Sequence, residues 1–308
     1  MIKLDKKFLR GSYPPVVTPF RKGAVDYDKF AELVDYQIKE GSHGILVTGT
    51  SGEPSTLTID ERAQLVKVAV DTAAGRVPVV AATGSQSHAE TVDLTARAEK
   101  AGADALLIVT PYYIRPPQRG LVDYYVDLGK RTSLPLMIYH IPIRAAVNVQ
   151  LDTLEKIVDK TPNLVGIKHA ANDLTLVTEA LSRFGFDFRI FVGLEELSFP
   201  MLAIGAAGLM NAVGNLAPRK VAELYAKTAQ GHLEEARRLH YELFELNQAV
   251  FFDTNPIAVK YMMKRMGLLQ ENEHRLPMVP ATKELEKRLD EVLRRAGLLL
   301  KDAVKDAV

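Results

Sequence analysis

Short apolar segments rich in valine, isoleucine and leucine recur along the first two thirds of the chain. They begin near residues 16, 45, 78, 105, 135, 164, 190 and 209, at intervals of 19 to 33 residues. Polar and apolar residues do not alternate within them, which predicts strands that are buried on both faces. Each interval is about the length of one strand followed by one helix. Eight such units predict an α/β protein with a closed, parallel (β/α)8 (TIM) barrel.

The segments between these strands carry the signals of amphipathic helices. From Tyr27 to Ile38 the apolar residues follow the i, i+3, i+4 spacing of one helix face, and Gly41 then provides a stop. The stretches Thr58–Glu61 and Ser87–Glu90 are both typical of capping boxes, in which a hydroxyl and a carboxylate satisfy the free N–H groups of a helix start. Strand, turn and helix therefore alternate regularly.

After the eighth apolar segment only helical periodicity remains, from Arg219 to about Gly297. Within this stretch Thr254–Pro256 predicts a helix cap followed by proline in the first turn. We therefore predict a barrel over residues 1–218 and an all-helical C-terminal extension, packed on the barrel, over residues 219–308.

The composition argues against several classes of protein. Lysine and arginine number 39 against 38 acidic residues, and this formal net charge of +1 does not favour binding to nucleic acid. No apolar run approaches the roughly 18 residues of a membrane span, and no continuous signal-peptide core is present, so we expect a cytoplasmic protein. The absence of cysteine excludes disulfides and thiolate metal sites. The seven histidines lack zinc-enzyme spacing, so we expect no bound metal.

In a (β/α)8 barrel the active site lies at the carboxyl ends of the strands. Lys168 is the most informative residue there, because it follows an apolar strand and lysine is almost never fully buried without a partner or a role. An amine in apolar surroundings loses its proton more readily, which it must do to form a Schiff base with a ketone. The alternative is a lysine that reaches solvent or pairs with Glu195. Residue type and position leave both readings open.

Two further side chains, those of Tyr139 and Arg144, lie at the end of the fifth predicted strand or just after it, and Lys168 lies on the sixth. Tyr139 lies at the same depth as Lys168, and a phenol can donate and accept protons there, although a core tyrosine bonded to a carbonyl is the alternative. Arg144 offers a planar fork suited to a carboxylate, although most single arginines are solvated surface residues. His140 and His169 are predicted to line the pocket or to support the residues that do, and acid–base work is the alternative.

The turn Gly49–Glu53 follows the second predicted strand. Its two glycines and two hydroxyls predict an anion-binding nest of carboxylate size, and a plain tight turn is the alternative. The turn matches neither a P-loop nor a dinucleotide-binding fingerprint.

Five motifs occur in order along the chain. They are GTSGE after the second strand, PYYIRPP after the fourth, YHIPIRAAVN after the fifth, GIKHA on the sixth, and TNPIAVK with RLPMVP in the C-terminal helices. Together they resemble the dihydrodipicolinate synthase/N-acetylneuraminate lyase family, and the resemblance runs from GSYPPVVTPF to RRAGLLL. It implies a class I, pyruvate-handling aldolase or lyase on a (β/α)8 barrel with C-terminal helices, assembled as a homotetramer from two dimers.

The resemblance also implies roles for individual residues. Lys168 is similar to the Schiff-base lysine, and Tyr139 to the proton-relay tyrosine. Thr50 resembles the threonine that links two tyrosines, and Tyr113 resembles the tyrosine that reaches into a neighbouring subunit's site. Ser51 falls where the family binds the pyruvate carboxylate.

Substrate contacts are implied for other strand-end residues. Arg144 matches the arginine that binds the carboxylate of the second substrate in the synthase branch. We also expect Glu195 and Glu196 to face in and bind hydroxyl or amino groups. The full set of further predicted substrate-binding residues is Thr18, Gly193, Glu195, Met210 and Asn211.

Some positions depart from the synthase branch. That branch usually has asparagine after the catalytic tyrosine, a small residue before the arginine and glutamate after the lysine, where this chain has His140, Ile143 and His169. The run Gly193–Glu196 is more similar to the lyases, and Asn211 stands where many members have serine. These departures make pyruvate chemistry better supported than lysine biosynthesis.

We therefore predict a dihydrodipicolinate synthase-like class I aldolase that joins pyruvate to, or releases it from, an aldehyde through an imine on Lys168, without a cofactor. One alternative is a catabolic retro-aldolase of a hydroxylated 2-keto diacid or a sugar acid, including sialic-acid-type lyases. Alternatives of other classes are a phosphosugar isomerase on the same barrel and a non-catalytic keto-acid-binding protein. The expected partners are small substrates and further copies of the chain, not nucleic acid or membrane.

Overall fold

Eight parallel strands form one sheet in which the second to eighth strands are neighbours in chain order and the first strand pairs with the eighth. The computed structural model describes residues 1–299, so residues 300–308 of the predicted extension lie outside the described part. The strands, numbered here from first to eighth, are Gly11–Ser12, Ile45–Val47, Val79–Ala82, Ala105–Val109, Leu136–His140, Leu164–His169, Arg189–Val192 and Gly208–Leu209. The predicted eight-stranded parallel architecture is confirmed.

The sheet closes just beyond the first strand. Pro15 pairs with Leu46 of the second strand, and the N–H of Val16 donates to the carbonyl of Leu46 at 3.0 Å. The first strand begins earlier than the apolar pattern predicts, because Gly11 already pairs with Gly208 of the eighth strand. Two prolines follow, and since proline has no N–H, they interrupt the ladder between these two points.

Both faces of the sheet are buried, which explains the continuous apolar segments. One set of side chains fills the barrel interior, where the ring of Tyr13 meets that of Phe191 edge to face at a centroid distance of 5.2 Å. The other set packs beneath the surrounding helices in a larger cluster. The barrel is therefore a filled core with room for ligands only at its ends.

Helices alternate with the strands, as predicted. They are Tyr27–Lys39, Ile59–Ala73, His88–Lys100, Gln118–Lys130, Pro142–Ala145, Leu151–Lys160, Leu174–Phe184, Ser198–Ala203 and Pro218–Ala229. The capping box at Thr58 is complete. At Ser87 only half of the predicted box forms, because the Ser87 N–H donates to Ser85 Oγ at 3.3 Å and Glu90 lies 3.8 Å from Arg62.

The helix Pro218–Ala229 packs against the first strand and completes the outer ring. The helices beyond it are Leu233–Ala249, Ile257–Arg265 and Lys283–Arg295. The predicted cap at Thr254 is wrong: the N-cap is Pro256, and the preceding Asn255 side chain bonds to Ser51 instead of to the helix start.

A separate antiparallel hairpin joins Phe20–Arg21 to Ala24–Val25 before the first helix. Within residues 1–299, no helix is long and apolar enough to cross a membrane. The same residues contain no group of three histidine or acidic side chains placed to hold a metal ion.

The register between the fifth and sixth strands decides which side chains meet at the carboxyl end of the barrel. Tyr139 pairs with Lys168, and His140 pairs with His169. Successive side chains of a strand point to opposite faces, so the first pair faces the barrel interior and the second faces the helices. The sequence predicts pocket-lining or supporting positions for both histidines. Two cavities, described below, lie at the carboxyl ends of the strands, and neither histidine borders either of them.

The two histidines form a hydrogen-bonded chain whose tautomers are fixed by its ends. Their Nδ1 atoms lie 3.0 Å apart. His140 Nε2 accepts from the N–H of Val149 at 3.3 Å, and His169 Nε2 donates to the carbonyl of Asp173 at 3.1 Å. His140 therefore donates its Nδ1–H to His169. Burial, together with the neighbouring His169, lowers the pKa of His140 to about 4, and burial lowers the pKa of His169.

Acid should therefore weaken the fold through His140. A depressed pKa contributes stability that is present above the ordinary pKa of 6.5 and that is lost as the pH falls to the folded value of about 4. Across that window the histidine should lower the free energy of unfolding by about 3 kcal/mol. His140→Asn, which has no titrating ring, should show a shallower decline in urea unfolding experiments.

The two curves share all titrating groups except His140, so their difference reports on His140 and its bonded partner His169. Parallel curves for wild type and His140→Asn would contradict the prediction.

Candidate active site

The carboxyl ends of the strands surround a small inner pocket that opens into a larger cavity. The inner pocket has a volume of about 40 Å³ and the outer cavity about 540 Å³. Thr50, Tyr139, Arg144 and Asn255 border both, so the two form one continuous space. The residues predicted from sequence that border the inner pocket are Thr50, Ser51, Tyr139, Arg144, Lys168, Gly193, Glu195 and Met210.

Lys168 lies at the end of the sixth strand and is 3% exposed. Its side chain passes close to Gly193, where a Cβ atom would lie 2.8 Å from Lys168 Cε, so a larger residue would displace the lysine. Its Nζ atom is 4.3 Å from the centroid of the Tyr139 ring. The amine is therefore held against the phenol side chain at the wall of the pocket.

Tyr139 is connected to a second hydroxyl. Its phenol oxygen lies 3.3 Å from Thr50 Oγ1, within hydrogen-bonding distance. Both groups can donate and accept, so they can pass a proton between them. Tyr113, the other predicted member of this relay, borders neither cavity of its own chain: it is 84% exposed and has a left-handed φ of 73°.

The predicted anion-binding turn is a single 3-10 turn, Thr50–Gly52, that is fixed from two sides. Ser51 is fully buried, and its Oγ accepts from Asn255 Nδ2 at 3.0 Å. Thr18 does not border the pocket; its hydroxyl donates to the carbonyl of Gly52 at 2.7 Å and so supports the turn. The Ser51 hydroxyl also donates to Asn255 Oδ1 at 3.3 Å, and because a hydroxyl can rotate, it can donate to a ligand instead.

Arg144 lies in the short helix Pro142–Ala145 and borders both the inner pocket and the outer cavity. Within residues 1–299 its guanidinium has no ion-pair partner. A fork of N–H donors that borders the space in front of Lys168 is suited to a carboxylate on a ligand.

Glu195 lies in the turn after the seventh strand and is 1% exposed. Its Oε1 accepts from the N–H of Ala212 at 2.5 Å, and its Oε2 has no hydrogen-bond partner among the described residues. Burial raises its pKa to about 7, although the Ala212 N–H and the charge of Lys168 oppose this effect. The carboxyl therefore exchanges its proton close to neutral pH.

The other predicted residues of this region lie off the pocket. Asn211 does not border it, and its Nδ2 donates to Ser198 Oγ at 2.6 Å. Ser198 in turn donates to the carbonyl of Glu195 at 2.7 Å, so Asn211 supports the glutamate turn. Glu196, predicted to face in, is exposed to solvent.

The pocket thus combines an amine, a phenol–hydroxyl pair, a buried carboxyl and a guanidinium. An amine can add to a carbonyl carbon, and the hydroxyls can move the protons that this addition requires. Sequence reasoning missed Asn255, which fixes Ser51. The TNP motif does not signal this contact, because an asparagine before proline is more typical of a helix start.

The chain is similar to known proteins over nearly its whole length. The model of the Dihydrodipicolinate synthetase family matches residues 8–296. A 4-hydroxy-tetrahydrodipicolinate synthase from Thermus thermophilus is 43% identical over 294 residues, which cover 95% of this chain and 98% of that protein.

Solved structures show the same similarity. Dihydrodipicolinate synthase from Aquifex aeolicus matches with a TM-score of 0.92 and 38% identity, over 95% of this chain and 99% of that one. Chloride-inhibited dihydrodipicolinate synthase from Acinetobacter baumannii, complexed with pyruvate, matches with a TM-score of 0.91 and 33% identity. The match covers 94% of this chain and 100% of that one. As its ordered motifs predict, this chain belongs to the dihydrodipicolinate synthetase family.

Proposed function

We propose that this chain is a 4-hydroxy-tetrahydrodipicolinate synthase, a class I aldolase that joins pyruvate to aspartate semialdehyde. The observation that carries the proposal is the contact of the buried Lys168 amine with Tyr139 at the wall of the inner pocket. The name shared by the curated relatives supports the same activity. The following steps derive how the residues of the pocket would perform it.

In the first step Lys168 Nζ attacks the keto carbon of pyruvate, and the keto oxygen leaves as water. That oxygen takes up two protons: Tyr139, with Thr50 as its hydrogen-bonded partner, carries one from the nitrogen, and the second comes from solvent, which leaves the nitrogen positively charged. Ser51 donates its hydroxyl to the pyruvate carboxylate. The resulting iminium ion acts as the electron sink that allows loss of a methyl proton, so the reaction needs no metal.

In the second step the enamine carbon attacks the aldehyde carbon, and the aldehyde oxygen becomes a hydroxyl. Arg144 binds the carboxylate of the second substrate, and the carboxyl of Glu195 hydrogen-bonds to a hydroxyl or amino group. The amine of the second substrate then attacks the imine carbon, which closes the ring and releases Lys168. One water is lost overall, in agreement with a 4-hydroxy-tetrahydrodipicolinate product.

We also infer that the working enzyme is a homotetramer of two dimers in the cytoplasm. Tyr113 and the adjacent Ile114 are 84% and 60% exposed, and a surface of this kind is suited to contact with a second copy of the chain. Tyr113 would then complete the proton relay of a neighbouring subunit.

Borohydride reduction in the presence of pyruvate should trap the imine on Lys168. Mass spectrometry should find one reduced pyruvate adduct on the peptide that contains Lys168, with EDTA present throughout, and none in Lys168→Arg. Neither a phosphosugar isomerase nor a non-covalent keto-acid-binding protein would form this adduct. An adduct on another lysine would overturn the assignment, and so would the absence of any adduct in a catalytically active preparation.

Tyr139→Phe should lower kcat by roughly 10²- to 10⁴-fold, the range for a positioned acid–base group. The dependence of trapping on pyruvate concentration should change little, because the phenol hydroxyl moves protons and does not bind the carboxylate. Tyr125→Phe is the matched control, since this buried hydroxyl donates to the carbonyl of Ile108 at 3.1 Å, away from the pocket. A wild-type kcat in Tyr139→Phe would reject the role.

Arg144→Ala should weaken the use of carboxylate-bearing aldehydes far more than that of neutral ones. The charge-assisted contact is worth about 1.5–3 kcal/mol, which corresponds to roughly 10- to 100-fold in kcat/KM for aspartate semialdehyde. Arg131→Ala, which removes a surface pair with Asp127, serves as the control. If kcat/KM falls equally for charged and neutral aldehydes, Arg144 has a structural role. The proposal that aspartate semialdehyde is the second substrate then loses its support.

A further inference from the structure

The C-terminal extension contains a buried lysine that the proposed reaction does not use. Lys260 lies in the helix Ile257–Arg265 within an apolar stretch, and its side chain is 0% exposed. Its Nζ donates to Glu53 Oε1 at 2.8 Å and to the carbonyl of Glu273 at 2.5 Å. The same atom lies 4.4 Å from the centroid of the Phe20 ring. Burial lowers the pKa of Lys260, and the charge of Glu53 opposes that effect.

Glu53 is the last residue of the turn that contains Ser51. Its side chain is 0% exposed, and its second oxygen accepts from His274 Nδ1 at 3.1 Å. Its backbone has a φ of 53° and a ψ of 45°, the left-handed conformation that residues other than glycine adopt at a cost. Such a conformation persists only where the surroundings fix it, and here the two bonds to the carboxylate do so.

The turn region is therefore attached to the extension at two points. Asn255 bonds to Ser51 at the pocket wall, and Lys260, five residues further along the extension, bonds to Glu53. Only Gly52 separates these two contacts. The conformation of the turn, and with it the direction of the Ser51 hydroxyl, depends on residues that are about 200 positions away in the sequence.

We propose that Lys260 is a positioning residue for pyruvate: through its buried ion pair with Glu53, it holds the turn in the conformation that presents Ser51 to the carboxylate. This inference rests on the proposed function, because it assumes that Ser51 binds a keto acid. Lys260 itself touches no substrate and does not border either cavity.

The test compares three variants with wild type. Lys260→Met keeps the volume but leaves the Glu53 carboxylate unpaired. Lys260→Met combined with Glu53→Gln removes both charges, and the amide oxygen can still accept from His274. Lys264→Met is the matched control, because this lysine lies on the same helix and its side chain is 42% exposed.

The readouts are the melting temperature, the pyruvate concentration that gives half-maximal borohydride trapping, and steady-state kinetics. The double variant should melt near wild type, because no buried charge is left unpaired. Its half-maximal pyruvate concentration should rise by about 10- to 100-fold, the usual loss when a residue that supports a binding residue is removed. The KM for the aldehyde and kcat at saturating pyruvate should change far less, and Lys264→Met should match wild type.

A purely structural ion pair would give a different result. It would lower the melting temperature of Lys260→Met without moving the half-maximal pyruvate concentration in folded protein, and that outcome overturns the inference. If the double variant does not fold, Glu53→Gln alone should still raise the half-maximal concentration, and no change there overturns the inference as well. Absence of trapping in wild type would instead overturn the proposed function.

Discussion

The register between the fifth and sixth strands is the constraint on which the active end of this protein depends. It pairs Tyr139 with Lys168, and because the sheet is closed, both side chains face the barrel interior. The same register puts His140 and His169 on the outer face, where their neutral pair ties the strand ends together. A slip of one residue would exchange the two faces, and the amine and phenol would leave the pocket. Strand pairing thus determines the chemistry that the pocket can perform.

The charge inside the pocket depends on the burial of the Glu195 carboxyl. Burial raises the pKa of Glu195 to about 7, so its carboxyl carries less negative charge at neutral pH than an exposed glutamate would. In the proposed reaction, the full negative charge that enters the pocket is then that of the substrate, which Ser51 and Arg144 are placed to bind. The glutamate remains available as a hydrogen-bond donor.

The sequence predicted the barrel, the family and the position of Lys168, because each leaves a local pattern. It did not identify Lys260, although both lysines follow apolar residues, in GIKHA and in IAVKYMM. Lys168 borders a cavity, whereas Lys260 forms an ion pair with a buried carboxylate, and only the position of that carboxylate distinguishes the two lysines. Glu53 is 207 positions away from Lys260, and only folding brings the two together. The same limit applies to Asn255, whose contact with Ser51 no local spacing signals.

The departures from the synthase branch have a different meaning once their positions are known. His140 and His169 replace asparagine and glutamate on the outer face of the sheet, where they bond to each other and to backbone groups. Ile143 is 89% exposed. These substitutions therefore do not bear on the substrate by direct contact. Among the departures, the run Gly193–Glu196 alone reaches the pocket, through Gly193 and Glu195, so in the proposed reaction these are the departures that can contact a substrate directly.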